Sequence, residues 1–155
     1  MKKLPILAGA SAVALLMSGF SAFALGSHYQ AKSNESVSAA WTKVGNFCGI
    51  GTWHPAVAKC SLSADGKERT LSLKGGGTIV EDLVKWNDKA HSYTYRIKSS
   101  PLPISNYVST IKVVKHGNGS VISWTGHYKA KGASNAAAKK AVDGIYKSGV
   151  DSLAK

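Results

Sequence analysis

The sequence has 155 residues, and its 20 lysines and arginines outnumber its eight aspartates and glutamates, which gives a formal net charge of +12. Hydrophobic residues make up 44% of the chain, which excludes an extended disordered protein and predicts a folded core. Arg69 and Arg96 are the only arginines, so lysine dominates the charge. Such a charge favours diffuse electrostatic attraction over bidentate recognition of phosphate.

The N-terminus has the three parts of a secretory signal peptide. Residues 1–3 are basic, residues 4–19 are almost wholly apolar, and Ala22-Phe-Ala24 matches the small-x-small cleavage pattern. An uncleaved membrane anchor is the alternative, although the many small residues of the apolar run favour cleavage. We predict a signal peptide over residues 1–24, a periplasmic or secreted location, and one mature domain over residues 25–155. Nucleic acid is then an unsuitable partner, whereas an acidic periplasmic redox protein or an anionic membrane surface suits the positive charge.

The hydrophobic periodicity predicts the elements of this domain in chain order. After a short strand, capping residues at 33–36 begin a helix with Trp41 on its apolar stripe, and a second helical turn lies near residues 48–52. From Val57 onward, apolar and polar residues alternate and turn-forming residues separate the segments, as in antiparallel strands. The predicted strands cover residues 28–32, 57–62, 69–73, 78–86, 92–98, 106–115 and 121–129.

A helical period returns at Ala133 and continues to the C-terminus. Apolar residues form a stripe along one side of this helix, and Lys139, Lys140 and Lys147 lie on the opposite side. The elements together predict an α+β fold, in which a curved antiparallel sheet of six to seven strands wraps around the long C-terminal helix and two short helices follow the first strand. The three lysines are a candidate surface for an acidic partner, and a purely solubilising role is the alternative.

Cys48 and Cys60 are the only cysteines, an even number in a chain predicted to be exported. A disulfide is the default in an oxidising compartment and would stabilise the fold by about 3 kcal/mol, while two buried free thiols are the alternative. The spacing lacks the close cysteine pair of a zinc site, and His54 is the only histidine nearby, so we predict no metal site.

Trp53 and His54 lie between the two cysteines. Gly49, Gly51 and Pro55 predict a sharp turn that leaves these two side chains on a corner. An indole and an imidazole on a corner can form the rim of a pocket, and the alternative is that Trp53 only plugs one end of the core.

Glu81 lies on a strand face that it shares with the apolar Ile79 and Leu83. A buried carboxylate needs a partner, and Arg69 lies on the corresponding face of the neighbouring strand. Such a pair can orient a polar group of a ligand or act in acid–base chemistry. The alternatives are a structural ion pair and a bulge that turns Glu81 outward.

The order of the predicted elements, together with several local motifs, resembles the SRPBCC superfamily of START-like and Bet v 1-like helix-grip proteins. Within it, the chain is similar to the exported polyketide cyclase/dehydrase-like branch, whose members resemble the MxaD accessory protein of periplasmic methanol oxidation. The resemblance extends over essentially the whole predicted mature chain. It rests on Trp41, Phe47-Cys-Gly-Ile-Gly51, Trp53-His-Pro55, Gly66, Arg69-Thr-Leu71, Glu81-Asp-Leu83, Tyr93-x-Tyr95-x-Ile97, Ser100-Pro-Leu-Pro103, Tyr107 and Trp124.

The resemblance implies a cavity between the sheet and the C-terminal helix, which holds lipids, sterols, polyketides and other apolar molecules across the superfamily. In MxaD-like members, the implied role is assistance to electron transfer between a periplasmic quinoprotein dehydrogenase and its cytochrome c. The residues that we expect to line the cavity are Trp53, His54, Arg69, Glu81, Tyr93, Tyr95, Tyr107, Trp124 and Tyr146.

The sequence offers few signs of catalysis. It has no nucleophile elbow, no His–Asp spacing that suggests a triad and no nucleotide-binding motif. We therefore expect an exported binding or accessory protein that takes a small apolar ligand or an acidic protein partner, without catalysis or a cofactor. The alternatives are a cyclase or dehydratase that uses Glu81, Arg69 and tyrosines on a polyketide-like substrate, and a carrier of lipids or other hydrophobic ligands.

Overall fold

The computed structural model describes residues 24–155, so the predicted signal peptide lies, apart from Ala24, outside the described residues. No helix among the described residues is long and apolar enough to span a membrane. Seven strands and three helices follow one another in the order β1 (Leu25–Ser33), α1 (Val37–Val44), α2 (Ile50–Trp53), β2 (Val57–Leu62), β3 (Glu68–Leu73), β4 (Thr78–Asn87), β5 (Ser92–Ser99), β6 (Ile104–His116), β7 (Gly119–Ala130) and α3 (Asn135–Leu153).

The strands form one antiparallel sheet with the order β1-β7-β6-β5-β4-β3-β2. The short helices α1 and α2 connect β1 to β2, which are the two edge strands, and α3 packs on β1 and β7. This arrangement confirms the predicted helix-grip α+β fold.

Several element boundaries differ from the prediction by one to three residues, and the starts of β1 and α3 have clear physical reasons. Strand β1 begins at Leu25 because it pairs with β7 along its whole length, from Leu25 opposite Tyr128 to Ser33 opposite Ser120. Helix α3 begins after Ser134, whose hydroxyl accepts a hydrogen bond from the Ala137 amide. A serine at this position satisfies a free amide of the first turn, so the helix begins two residues later than predicted.

The predicted disulfide joins Cys48, between α1 and α2, to Cys60 on β2, with 5.6 Å between the two Cα atoms. The bond therefore ties the connection between the short helices to an edge strand of the sheet. Its formation confirms the pairing expected from the even cysteine count.

Helix α3 approaches the sheet most closely at Gly149. A methyl group at this position would lie 2.7 Å from Cδ2 of His54, 2.7 Å from Cζ3 of Trp124 and 3.1 Å from Cζ3 of Trp53. Such distances are shorter than van der Waals contacts, so glycine is what allows three rings to pack against the helix backbone. Gly144, on the same helix, is exposed and has no neighbour within 4 Å of the corresponding position.

We predict that Gly149→Ala destabilises the protein by about 1–3 kcal/mol, because the added methyl group overpacks the ring cluster. Gly144→Ala is the matched control and should stabilise it by about 0.5–1 kcal/mol, because alanine favours a helix and meets no neighbour. Urea unfolding monitored by circular dichroism gives both values. Equal stabilisation by the two substitutions would contradict the close packing of α3.

Candidate functional site

A cavity of about 300 Å³ lies between α3 and the sheet. This volume is at the lower end of the range of about 300–1,000 Å³ that is typical of small-molecule sites. Every strand from β2 to β7, together with α2 and α3, contributes to its wall. Most of the wall is apolar, and its buried aliphatic residues are Ile50, Val57, Leu71, Ile79 and Val142.

Six of the nine residues that we expected in the cavity line it, and three do not. Trp53, Arg69 and Tyr93 are buried but lie outside the lining. Exposed glycines in the turn between β3 and β4 form part of the cavity wall, together with the partly exposed Leu102 and Ile145, so this side faces solvent. The predicted residues that line the cavity are His54, Glu81, Tyr95, Tyr107, Trp124 and Tyr146.

Trp53 and Tyr93 belong to aromatic packing beside the cavity. The Trp53 indole lies edge-on to Trp124, with 5.8 Å between the ring centroids, and donates a hydrogen bond to the Val44 carbonyl. Tyr93 stacks on Trp86 with 5.0 Å between centroids. Both rings are fully engaged by neighbouring side chains, so they support the wall and do not form its surface.

Arg69 is completely buried. Its Nε donates to Oε2 of Glu81 at 2.5 Å, and its Nη1 donates to the Phe47 carbonyl and, at 3.4 Å, to the Tyr93 hydroxyl. The guanidinium carbon also lies 4.2 Å from the Phe47 ring centroid and 4.8 Å from that of Tyr95. Cation–π contacts of this kind partly replace the water that a buried guanidinium loses. Its Nη2 makes no hydrogen bond with the described residues but is fully enclosed, so Arg69 is surrounded by protein groups and does not line the cavity.

Glu81 is the one acidic residue in the cavity wall. Its Oε2 is occupied by Arg69, whereas Oε1 makes no hydrogen bond with the described residues and is not among the fully enclosed polar atoms. Oε1 is therefore accessible from the cavity. Burial raises the pKa of Glu81, and the adjacent Arg69 charge opposes that rise. Arg69 and Glu81 thus form the buried ion pair predicted from their positions on neighbouring strands. Oε1 of Glu81 remains able to accept a hydrogen bond from another donor.

The hydroxyl groups of three tyrosines form a chain through the core. Trp124 Nε1 lies 3.1 Å from the Tyr95 oxygen, which lies 3.0 Å from that of Tyr107, which lies 2.8 Å from that of Tyr146. Ser109 Oγ lies 2.8 Å from the Tyr146 oxygen and donates to the Thr125 carbonyl at 2.8 Å.

The Ser109 end sets the direction of the hydrogen bonds in this chain, and the Trp124 end is compatible with that direction. The indole N–H can only donate, and the single Ser109 proton is used on a carbonyl, which can only accept. Tyr95 therefore donates to Tyr107, Tyr107 to Tyr146, and Tyr146 to Ser109. Burial raises the pKa of each of the three tyrosines, so they remain protonated at neutral pH.

Sequence analysis missed Ser109 and Gly126, which complete this chain. A methyl group at Gly126 would lie 2.1 Å from the Tyr146 hydroxyl oxygen and 2.9 Å from Ser109 Oγ, so only glycine leaves room for the hydroxyl. A signal for Ser109 existed, since it shares the inward face of β6 with Tyr107 and Ile111 at a period of two. No sequence signal pointed to Gly126.

His54 connects the end of α2 to the long helix. Its Nδ1 accepts a hydrogen bond from the Ala56 amide at 3.1 Å, and its Nε2 lies 3.2 Å from the Ile145 carbonyl. Because one nitrogen must accept and the other must donate, the ring is neutral with its proton on Nε2. Burial lowers the pKa of His54, and the Arg69 charge adds to the decrease.

The three lysines of the candidate partner surface lie on the exposed side of α3. Lys139 pairs with Asp143 at 2.8 Å and Lys147 pairs with Asp151 at 2.6 Å. Lys140 has no such salt bridge with a described residue. Local carboxylates thus compensate two of the three charges, and a docking role for this surface stays a prediction. Residues 24–155 contain no group of three metal-ligating side chains.

We predict that His54 makes the protein less stable in acid. In the unfolded chain its pKa is near 6.5, whereas the folded ring resists protonation, so the unfolded state binds more protons as pH falls. The free energy of unfolding should therefore decrease below pH 6.5, by at most about 1.4 kcal/mol per pH unit, until the lowered folded pKa is reached.

Urea unfolding of the wild type and of His54→Gln between pH 5 and pH 8 isolates this contribution, because glutamine does not titrate. The difference between the two proteins should shrink as pH falls through this window. His116→Gln, at the exposed end of β6, is the matched control and should keep the wild-type dependence. A constant difference for His54→Gln would contradict the neutral ring.

The family model for polyketide cyclase / dehydrase and lipid transport matches residues 28–155, and no curated protein matches the chain. Among solved structures, the XoxI protein from Bacillus cereus is 30% identical, with a TM-score of 0.80, and the alignment covers 83% of this chain and 92% of that one.

Two further solved structures are similar. An uncharacterised protein from Bacillus thuringiensis is 32% identical, with a TM-score of 0.80 over 84% of this chain and 96% of that one. A protein from Thermobifida fusca is 24% identical, with a TM-score of 0.71 over 83% of this chain and 90% of that one, and shows the fold alone. The narrower resemblance to MxaD-like proteins stays a prediction.

The match over residues 28–155 includes all the strands that line the cavity and the helix that covers it. Fold and family therefore agree with the predicted SRPBCC-type architecture. The chain belongs to the polyketide cyclase/dehydrase and lipid transport family.

Proposed function

We propose that this protein is an exported, non-catalytic binding protein that carries a small apolar molecule in the cavity between α3 and the sheet. The observation that supports this most directly is the cavity itself, about 300 Å³ in volume and walled mainly by aliphatic and aromatic side chains. Burial of an apolar ligand there provides about 25 cal/mol for each Å² removed from water. The lipid transport in the family description agrees with such a role.

The state of the polar groups around the cavity favours binding over catalysis. A general acid or base must exchange a proton with a substrate. Both nitrogens of His54 are engaged by backbone groups, and the hydroxyl protons of Tyr95, Tyr107 and Tyr146 are engaged within their own chain. Arg69 compensates the charge of Glu81. Proton transfer at His54 or at the three tyrosine hydroxyl groups would first require breaking an internal hydrogen bond.

One observation favours a second candidate, a cyclase or dehydratase-like enzyme. Oε1 of Glu81 is accessible from the cavity, and burial raises the pKa of this carboxyl group, as is common for general bases. In that case Glu81 would remove a proton from a polyketide-like substrate. Turnover by the wild type and its loss in Glu81→Gln would support the enzyme.

Export and an accessory role are proposals of the same kind. The Cys48–Cys60 disulfide supports export, because such bonds persist in oxidising compartments. Assistance to electron transfer between a quinoprotein dehydrogenase and cytochrome c rests on the resemblance to MxaD-like proteins, with a net charge that suits an acidic partner.

We predict that the wild type binds the apolar fluorophore N-phenyl-1-naphthylamine and that Val142→Phe weakens this binding at least about tenfold. Val142 is buried in the cavity wall, so a phenyl ring there occupies the space that the ligand needs. Val114→Phe is the matched control, because Val114 is partly exposed and does not line the cavity. Fluorescence titration measures the dissociation constants.

Circular dichroism must show that both variants are folded. Unchanged affinity in Val142→Phe would place the fluorophore elsewhere and contradict the proposed site. Absence of binding to the wild type would contradict the proposal directly.

A further inference from the structure

We infer that the cavity selects apolar molecules that carry a neutral hydrogen-bond donor, such as a hydroxyl group, and excludes carboxylates and phosphates. The inference deepens the proposed binding function and rests on it. Its basis is that the side-chain donors that line the cavity are all engaged in internal hydrogen bonds, whereas one strong acceptor, Oε1 of Glu81, is left open. The unpartnered Nη2 of the neighbouring Arg69 is fully enclosed and does not line the cavity.

Anionic ligands find no cation in the cavity. None of the lysines or arginines of residues 24–155 belongs to the lining, although the chain as a whole is strongly basic. Arg69 lies beside Glu81, but its Nε and Nη1 donate to Glu81, Phe47 and Tyr93, and aromatic rings lie over the guanidinium. Its Nη2 has no partner among the described residues and is fully enclosed, so a ligand in the cavity does not reach it. An anion in the cavity would instead meet the Glu81 carboxylate, and an unpaired charge is costly to bury.

Ligands that only accept hydrogen bonds also find no free side-chain donor among the described residues that line the cavity. The Trp124 N–H donates to Tyr95, and the directed chain of hydroxyl groups ends with Ser109 donating to the Thr125 carbonyl. The remaining candidate, Nε2–H of His54, donates to the Ile145 carbonyl. A ketone or ether would therefore enter without a partner for its oxygen.

Glu81 is a good partner for a hydroxyl group and a poor one for an ammonium group. A hydrogen bond to a charged acceptor contributes about 1.5–3 kcal/mol, which corresponds to a factor of about ten or more in affinity. An ammonium group would bring a second positive charge close to Arg69, whose charge already balances the carboxylate at 2.5 Å. Desolvation of that extra charge opposes binding, so a neutral donor is preferred.

Four probes with ten carbon atoms each test this selectivity: 1-decanol, 2-decanone, decanoate and decylammonium. Each is titrated as a competitor against N-phenyl-1-naphthylamine bound to the full chain. We expect 1-decanol to bind at least about tenfold more tightly than 2-decanone, and decanoate to show no competition at concentrations that saturate with the alcohol. Decylammonium should also bind more weakly than the alcohol.

Glu81→Gln should reverse the preference between alcohol and ketone. The glutamine oxygen can accept from Arg69 Nε as Oε2 does now, which turns the amide NH₂ group toward the cavity as a donor. This variant leaves the buried Arg69 charge without its partner and can fail to fold for that reason.

Ser109→Ala keeps the ion pair and provides an independent test. It removes the acceptor of the Tyr146 proton, so one hydroxyl proton of the chain becomes available to a ligand. Binding of 2-decanone should then improve several-fold relative to 1-decanol. Ser105→Ala, a serine of β6 outside this cavity lining and outside the hydroxyl chain, is the matched control and should change neither affinity.

The outcomes separate the inference from the proposed function. Equal binding of alcohol and ketone, or tighter binding of decanoate or decylammonium than of the alcohol, would overturn the selectivity while leaving a binding protein. Failure of all four probes and of the fluorophore to bind would overturn both. A ketone affinity that does not change in Ser109→Ala would overturn the assigned direction of the hydroxyl chain.

Discussion

The buried charge of Arg69 is the constraint on which much of the structure depends. A guanidinium group with no exposed area must find its compensation inside the protein, and it does so in Glu81, the Phe47 carbonyl and surrounding rings. These groups come from β3, β4 and the connection between α1 and α2, so one side chain links the sheet to the short helices. Breaking one partner of such a pair is far more costly than the pair's net contribution to stability. The pair therefore adds little net stability, but alternative packings that separate Arg69 from Glu81 are strongly disfavoured.

The same constraint determines the chemistry of the cavity. Arg69 and Glu81 lie opposite each other in the register of β3 and β4, and the arginine holds one carboxylate oxygen away from the lining. The other oxygen stays accessible, so a protein with a basic surface has an acidic group inside. The surface charge and the Glu81 charge therefore act on different partners. The basic surface attracts charged partners over about a Debye length in solution, whereas Glu81 interacts only with a ligand that has entered the cavity and lost its water.

Helix α3 both closes the fold and leaves the cavity open. Around Gly149 it packs directly on the rings of Trp53, His54 and Trp124, because no side chain separates the backbone from them. One to two turns earlier, Val142 and Ile145 face space that no ring fills. The closely packed part fixes the position of the helix, and this allows the other part to remain at a distance from the sheet without collapsing the cavity.

The sequence by itself determined the order of the elements and the sides of the strands, because periodicity is a local property, and it predicted the disulfide and the Arg69–Glu81 pair that the structure confirms. It also identified most of the polar and aromatic cavity lining. Tertiary structure decided that Trp53, Arg69 and Tyr93 stand beside the cavity, since a period of two assigns a side chain to a face of the sheet but not to a place along it. The direction of the hydroxyl chain was likewise decided by tertiary structure, because it depends on where Ser109 and the Thr125 carbonyl meet across two strands.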